Sequence, residues 1–120
     1  TGRDYIHGRG GNDRMLGGAG RDILAGGRGN DTMTGNADKD AFVFNAGDGR
    51  DRITDFQDDV DTLELSLALL GSGPKTVAAL LNTYATNTAE GVFFDFGAKG
   101  TLFLAGVDRK ADLADDILLV

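Results

Sequence analysis

The sequence predicts an all-β repeat protein: very short strands stacked at a fixed step, followed by a non-repetitive C-terminal segment. Three observations carry this. Asp4, Asp13, Asp22, Asp31 and Asp40 stand nine residues apart. Two residues beyond each lies a large apolar residue, namely Ile6, Met15, Leu24, Met33 and Phe42. Gly8, Gly17, Gly26 and Gly35 keep the same step, and the period is lost beyond Ser66. Sequences with such a period build units that bury a core only by stacking on one another.

Each unit can be read physically. In "GGAGRDILAGGRGNDTMTG" (Gly17 to Gly35), seven of nineteen residues are glycine, the residue costliest to order. The G-G-x-G turn can fold tightly with its carbonyls pointing inward, and the Asp that follows adds a carboxylate to that oxygen cluster. Calcium takes six to eight hard oxygen ligands, a set that backbone carbonyls and Asp supply. The next three residues form a minimal strand whose central side chain points to one face. The units "GGAGRDILA" and "GGRGNDTMT" fit G-G-x-G-x-D-x-U-x (U, large apolar) at every defined place. "GRGGNDRML" has Arg9 for the second glycine, and "GNADKDAFV" has Asn36 and Asp38 for two of them. A flexible glycine linker would not keep aspartates and apolar residues in phase. An EF-hand loop fails because no twelve-residue ligand frame ends in Glu.

The whole chain sets bounds. Its 120 residues suit one domain with a modest core, and the net charge of −7 argues against a nucleic-acid partner. There is no cysteine, hence no disulfide and no Cys-based zinc site. No apolar run has membrane-spanning length, and no signal peptide opens the chain. The opening "TGRDYIHGRG" starts within a repeat and without Met, so the sequence is expected to be the C-terminal piece of a longer protein. Thirteen of the nineteen glycines fall in residues 1–50, and residues 56–120 carry ten acids against four bases.

From residue 1 to about residue 65 the chain resembles the RTX (repeats-in-toxin) calcium-binding nonapeptide family. The resemblance implies a right-handed parallel β-roll, in which two nonapeptides make one coil and turns eighteen residues apart hold a calcium ion between them. The earlier turn then gives its second, fourth and sixth places and the later turn its first, third and sixth. Arg9, Gly11 and Asp13 thus face Gly26, Arg28 and Asp31. Gly18, Gly20 and Asp22 face Gly35, Ala37 and Asp40. Gly2 and Asp4 face Gly17, Ala19 and Asp22. Gly27, Gly29, Asn36 and Asp38, at the second and fourth places of later turns, complete the set. Residues other than Asp act through their backbone carbonyls.

"AFVFNAGDGRDRITDFQDDVDTLELS" (Ala41 to Ser66) extends the pattern after a two-residue slip. Ala46 takes the first place, Asp51 the Asp place and Ile53 the apolar place, and Asp61 and Leu63 follow in phase. It resembles the segment that closes RTX rolls, which makes Asp48, Asp51, Asp55, Asp58 and Asp61 candidate ligands of the last ions. The competing reading for these acids is a solvated rim.

Residues 66–120 are expected to cap the roll. "SGPKTVAALLNTYA" reads as a helix started by Ser72 or Gly73 and Pro74, with Val77, Leu80, Leu81 and Tyr84 on one face. "GVFFDFGAKGTLFLAGV" reads as a hairpin turning at Gly97–Gly100. "ADLADDILLV" ends the chain as a terminal strand, or, as the resemblance implies, as part of an uncleaved signal for type I (ABC-driven) secretion. Catalysis is not expected. His7 stands alone, and no zinc-peptidase, nucleophile-elbow or phosphate-loop motif is present. The Asp residues that might form a glycosidase pair already hold phased places.

The expected function is that of a secreted, calcium-dependent folding and export module attached to an N-terminal domain. An alternative is a module that binds an alginate-like polysaccharide through a basic face of Arg14, Arg21, Arg28, Arg50 and Arg52.

Overall fold

The structure, a computed structural model, describes residues 3–57, 60–70 and 75–120. Strands β1 (Tyr5–His7), β2 (Arg14–Leu16), β3 (Ile23–Ala25) and β4 (Thr32–Thr34) each occupy the last three places of a nonapeptide. Between strands the chain crosses to the opposite sheet, so alternate strands pair in parallel. Ile6 lies opposite Leu24, and Met15 opposite Met33. The next strands are one residue longer: β5 (Ala41–Phe44), β6 (Arg50–Ile53) and β7 (Thr62–Leu65).

Here the stacking step lengthens. Asp31 stacks on Asp51, twenty residues on, and Asp40 on Asp61, twenty-one residues on, where earlier pairs are eighteen apart. The lengthened β5 places Phe44, two residues after Phe42, on the same inner face, and Ile53 keeps its inward place in β6. All three are fully buried.

The segment after residue 66 completes both sheets. A short helix, α1 (Val77–Tyr84), leads into β8 (Ala85–Asn87), the hairpin β9 (Gly91–Asp95) and β10 (Thr101–Ala105), and a last strand β11 (Ile117–Leu119). One sheet runs β1-β3-β5-β7-β11 and the other β2-β4-β6-β10-β9-β8. The hairpin therefore joins the roll through a parallel β6–β10 pair, and β11 joins it through β7. This covers the C-terminal edges that stacked strands would otherwise leave open.

The inner faces form one apolar cluster, from Met15 and Leu24 through Phe42, Ile53 and Leu63 to Leu104, Leu113 and Ile117. Phe96 is its aromatic hub, 6.0 Å from the rings of Phe44 and Phe94 and 5.1 Å from that of Tyr84.

The helix differs from its sequence reading at both ends. Ser72, Gly73 and Pro74 lie outside the described residues. The helix starts at Val77, where Thr76 is extended and its hydroxyl accepts the Ala79 N–H. It ends at Tyr84, because Ala85 is drawn into β8 opposite Phe94. Leu80 and Leu81 are buried and Val77 and Tyr84 pack on the core, as the spacing requires.

Candidate metal centre

The turns stack along two edges of the roll. One edge carries turns 8–13, 26–31 and 46–51. The other carries residues 3 and 4, turns 17–22 and 35–40, and residues 54–57 and 60–61. In every regular turn the second and fourth places adopt a left-handed backbone: Arg9 and Gly11, Gly18 and Gly20, Gly27 and Gly29, Asn36 and Asp38, then Gly47 and Gly49. Asn and Asp tolerate this region, and Arg9 adopts it at a cost of roughly 1–2 kcal/mol. Gly27 and Gly29 need glycine for a second reason: a Cβ there would collide with the carbonyl oxygens of Arg9 and Gly11 in the turn below. Those are the carbonyls expected to serve as ligands from second and fourth places.

The aspartates form two ladders. The Asp22 carboxylate accepts the Asp4 N–H at 3.0 Å, and Asp40 accepts the Asp22 N–H at 2.9 Å. On the other edge Asp31 accepts from Asp13 at 2.8 Å and Asp51 from Asp31 at 3.0 Å. Each bond uses Oδ1. The second oxygens, Oδ2 of Asp13, Asp22, Asp31, Asp40 and Asp51, are buried without any hydrogen-bond partner. A buried, unpaired carboxylate oxygen is expensive, and five of them at the same place of successive turns along two ladders call for cations on both edges.

The surroundings of these oxygens fit one. A Cβ on Gly8 would lie 2.6 Å from Asp13 Oδ2 and 2.7 Å from the Gly26 carbonyl oxygen. On Gly17 it would lie 2.8 Å from both Asp22 Oδ2 and the Gly35 carbonyl oxygen. Carboxylate and first-place carbonyl therefore converge from successive turns on a space kept free of side chains. Among the described residues no group of three or more His, Cys, Asp or Glu side chains gathers as a metal site. The donors are instead paired carboxylates and many carbonyls, an all-oxygen set suited to calcium.

The outlying candidates behave differently. Gly2 and Asp58 lie outside the described residues. Ala19, Arg28 and Ala37, at third places, are exposed, so only their backbone can contribute. Asp38 is exposed and accepts the Gly20 N–H at 3.0 Å. Asp55 accepts the N–H groups of Gly35 and Asn36 at 2.9 and 2.7 Å. Asp48 accepts the Asn45 N–H at 2.8 Å, within its own turn. Both oxygens of Asp61 are engaged, by Asp40 and Gln57, which ends that ladder.

Sequence reading passed over Gly8, whose missing side chain helps to make the first full cradle, and the fifth-place asparagines. Asn12 accepts the Asn30 N–H and Asn30 accepts the Arg50 N–H, at 2.8 and 3.0 Å. Their eighteen-residue spacing was the available signal. His7 is exposed and its Nδ1 accepts the Arg9 N–H.

Burial pushes the carboxyls of Asp31, Asp48 and Asp61 above the usual carboxylate range, Asp40 to about 6 and Asp51 to about 7; neighbouring carboxylates add to the shifts of Asp40 and Asp51, and backbone N–H donors oppose them. The sign follows from linkage. A carboxyl whose pKa is raised by folding binds protons more tightly when folded, so the metal-free fold is most stable below the unfolded value of 3.8. That contribution is lost as pH rises through about 6 to 7. Calcium needs the same groups ionised. The unfolded chain and the calcium-loaded fold both carry these groups ionised between pH 7.5 and pH 5.5, so only the metal-free fold gains stability at the lower pH. The calcium concentration for half-folding should therefore stay level or fall between pH 7.5 and pH 5.5; titrations at the two pH values check this, and a midpoint raised about tenfold at pH 5.5 would contradict it.

Comparison with known proteins agrees with this geometry. Residues 1–24 and 16–53 match the sequence model described as "RTX calcium-binding nonapeptide repeat (4 copies)". The repeat segment belongs to that family, and calcium is the ion of its turns. A similar solved structure is that of the AlgE6R3 subunit from the Azotobacter vinelandii mannuronan C5-epimerase, determined in solution. Its TM-score is 0.55 at 23% identity, covering 98% of this chain and 78% of that one. At that identity the likeness is one of fold, a parallel β-roll. No curated protein matches the chain.

Proposed function

We propose that this chain is a non-catalytic folding and export module: a roll over residues 1–65 that closes around calcium outside the cell, and a cap over residues 66–120 that carries the type I secretion signal. The five orphaned, buried Asp oxygens carry the proposal. Without calcium they oppose folding, together with the entropy of a glycine-rich chain. With it, binding free energy becomes folding free energy. A site with a dissociation constant of roughly 0.1 mM contributes about 1.4 kcal/mol at about 1 mM calcium, and several coupled sites decide between folded and unfolded. Bacterial cytosol is poor in calcium and the exterior is not, so the chain stays threadable inside and folds after export.

The tail tests the export half. Ile117 is buried opposite Leu63 in β11, whereas Leu118 and Val120 are exposed. Deleting residues 115–120 should keep the chain in the cell when it is produced with a type I exporter. The purified domain should still fold in calcium, with a melting temperature lowered by several degrees through loss of about 1–2 kcal/mol. Normal secretion of the truncated chain would remove these residues as a signal.

A second reading, a module that binds an acidic polysaccharide, is supported by the cations that remain on the surface. The five arginines expected to form one face are distributed over three. Arg14 and Arg52 share a row on the outer face of the six-stranded sheet, through Thr32, with Arg52 over the Phe103 ring at 5.1 Å. Arg28 and Arg50 lie on one turn edge and Arg21 on the other. Binding of a polyuronate in calcium, with none to neutral dextran, tests this reading.

A further inference from the structure

The column that holds Arg21 continues in both directions. Arg3, Arg21 and Lys39 take the same fifth place in turns eighteen residues apart, just before the stacked residues Tyr5, Ile23 and Ala41. All three side chains are exposed and line one groove of about 370 Å³. Among the described residues none of the three forms an ion pair. Strand stacking sets the cations about 4.8 Å apart along the roll.

Asp4, Asp22 and Asp40 line the same groove. With these carboxylates bare, three acids offset three bases and the groove is near neutral. Each calcium ion held by this ladder adds two positive charges, so filling the ladder turns the groove into a row of net positive charge. Local charge of this size in a groove concentrates and orients an anionic chain.

We infer that the groove formed by Arg3, Arg21 and Lys39 binds a linear polyuronate, and that calcium in the adjacent ladder switches this binding on. The inference rests on the second reading above. The rise of one coil is close to the length of one linked sugar, so a chain with a carboxylate on every ring meets successive cations. Tyr5, 65% exposed on the groove wall, offers a face on which a sugar ring can stack. The linkage is reciprocal: polyuronate must tighten calcium binding by the factor by which calcium tightens polyuronate binding.

The test compares the unaltered chain with the double variant Arg21→Ala/Lys39→Ala and with a charge-matched control, Lys75→Ala/Arg109→Ala, whose exposed side chains lie on the cap outside the groove. Polymannuronate and polygalacturonate fragments are titrated at fixed free calcium. The groove variant should lose roughly tenfold or more in affinity while folding in calcium like the parent, and the control should lose about twofold at most. Polymannuronate should lower the free-calcium midpoint of the parent but not that of the groove variant. Equal binding by the groove variant and the parent would overturn the assignment to this groove. So would an equal loss in the control, or tighter binding of a single-stranded oligonucleotide than of polyuronate. If the parent folds in calcium but binds no polyuronate, the second reading fails together with this inference; if it does not fold in calcium, the folding proposal fails separately.

Discussion

Replacing Asp22 by alanine should raise the calcium concentration for half-folding by about tenfold or more. Asp22 is 1% exposed and lies in the middle of its ladder. Its Oδ1 accepts the Asp4 N–H, its own N–H donates to Asp40, and its Oδ2 has no protein partner. In the proposed stacking of turns it serves the ion below its turn and the ion above. Weakening two sites costs about 2–3 kcal/mol near 1 mM calcium, and the lost hydrogen bond about 1 kcal/mol more. One effect runs the other way, since removing a buried carboxylate relieves repulsion. That relief stabilises the metal-free fold, so it offsets part of the rise in the calcium midpoint without cancelling the loss of two sites. Asp38→Ala is the comparison. Asp38 is exposed, and its carboxylate holds one N–H, that of Gly20, so its replacement should move the midpoint by less than about threefold. Equal shifts in the two variants would mean that the ladder is not the ion-binding element.

A single methyl group on Gly26 should be nearly as damaging. The backbone of Gly26 is not left-handed, so alanine adds no backbone strain. Its Cβ would lie 2.5 Å from Asp31 Oδ2 and 2.9 Å from the Asp31 Cβ, displacing the carboxylate oxygen that no protein group pairs. Overpacking costs typically about 1–3 kcal/mol, and the displaced ligand adds to it. Gly10→Ala is the control, because nothing lies within 4 Å of a Cβ there and its φ is not positive. It should be neutral, or stabilising by about 0.4–1 kcal/mol through the unfolded chain. Urea unfolding in saturating calcium separates the two. Similar behaviour of both variants would contradict a cradle that requires the space at Gly26.

The roll was legible because its sequence repeats its chemistry. The phased aspartates give the step, the apolar residue two places on gives the inner face, and together they fix the register in which Leu24 meets Phe42 and Met15 meets Met33. The slip before Ala46 was visible because Asp51 and Ile53 keep their mutual spacing. The pairing of the cap was not legible. Nothing periodic ties Leu102 to Asp51 or Ile117 to Leu63, since those contacts are set by packing across long stretches of chain. The helix boundaries escaped for a similar reason: Ala85 has good helix propensity, yet the edge of β9 claims it. Among the acids, spacing separated Asp22 and Asp31 as ladder members. It did not reveal that Asp48 and Asp55 accept backbone N–H groups of their own and neighbouring turns. The arginines do not form the single face expected from the sequence, because the eighteen-residue period sorts them into separate columns.

The most direct measurement is circular dichroism of the chain during a calcium titration, with chelator and magnesium as controls. The account predicts a cooperative passage from a largely unordered spectrum to a β-rich one, reversed by chelator. Magnesium should be a poor substitute, because it holds its water and demands a smaller octahedral shell than stacked carbonyls provide. A chelated sample with the same spectrum and the same melting temperature as the calcium-loaded one would contradict it.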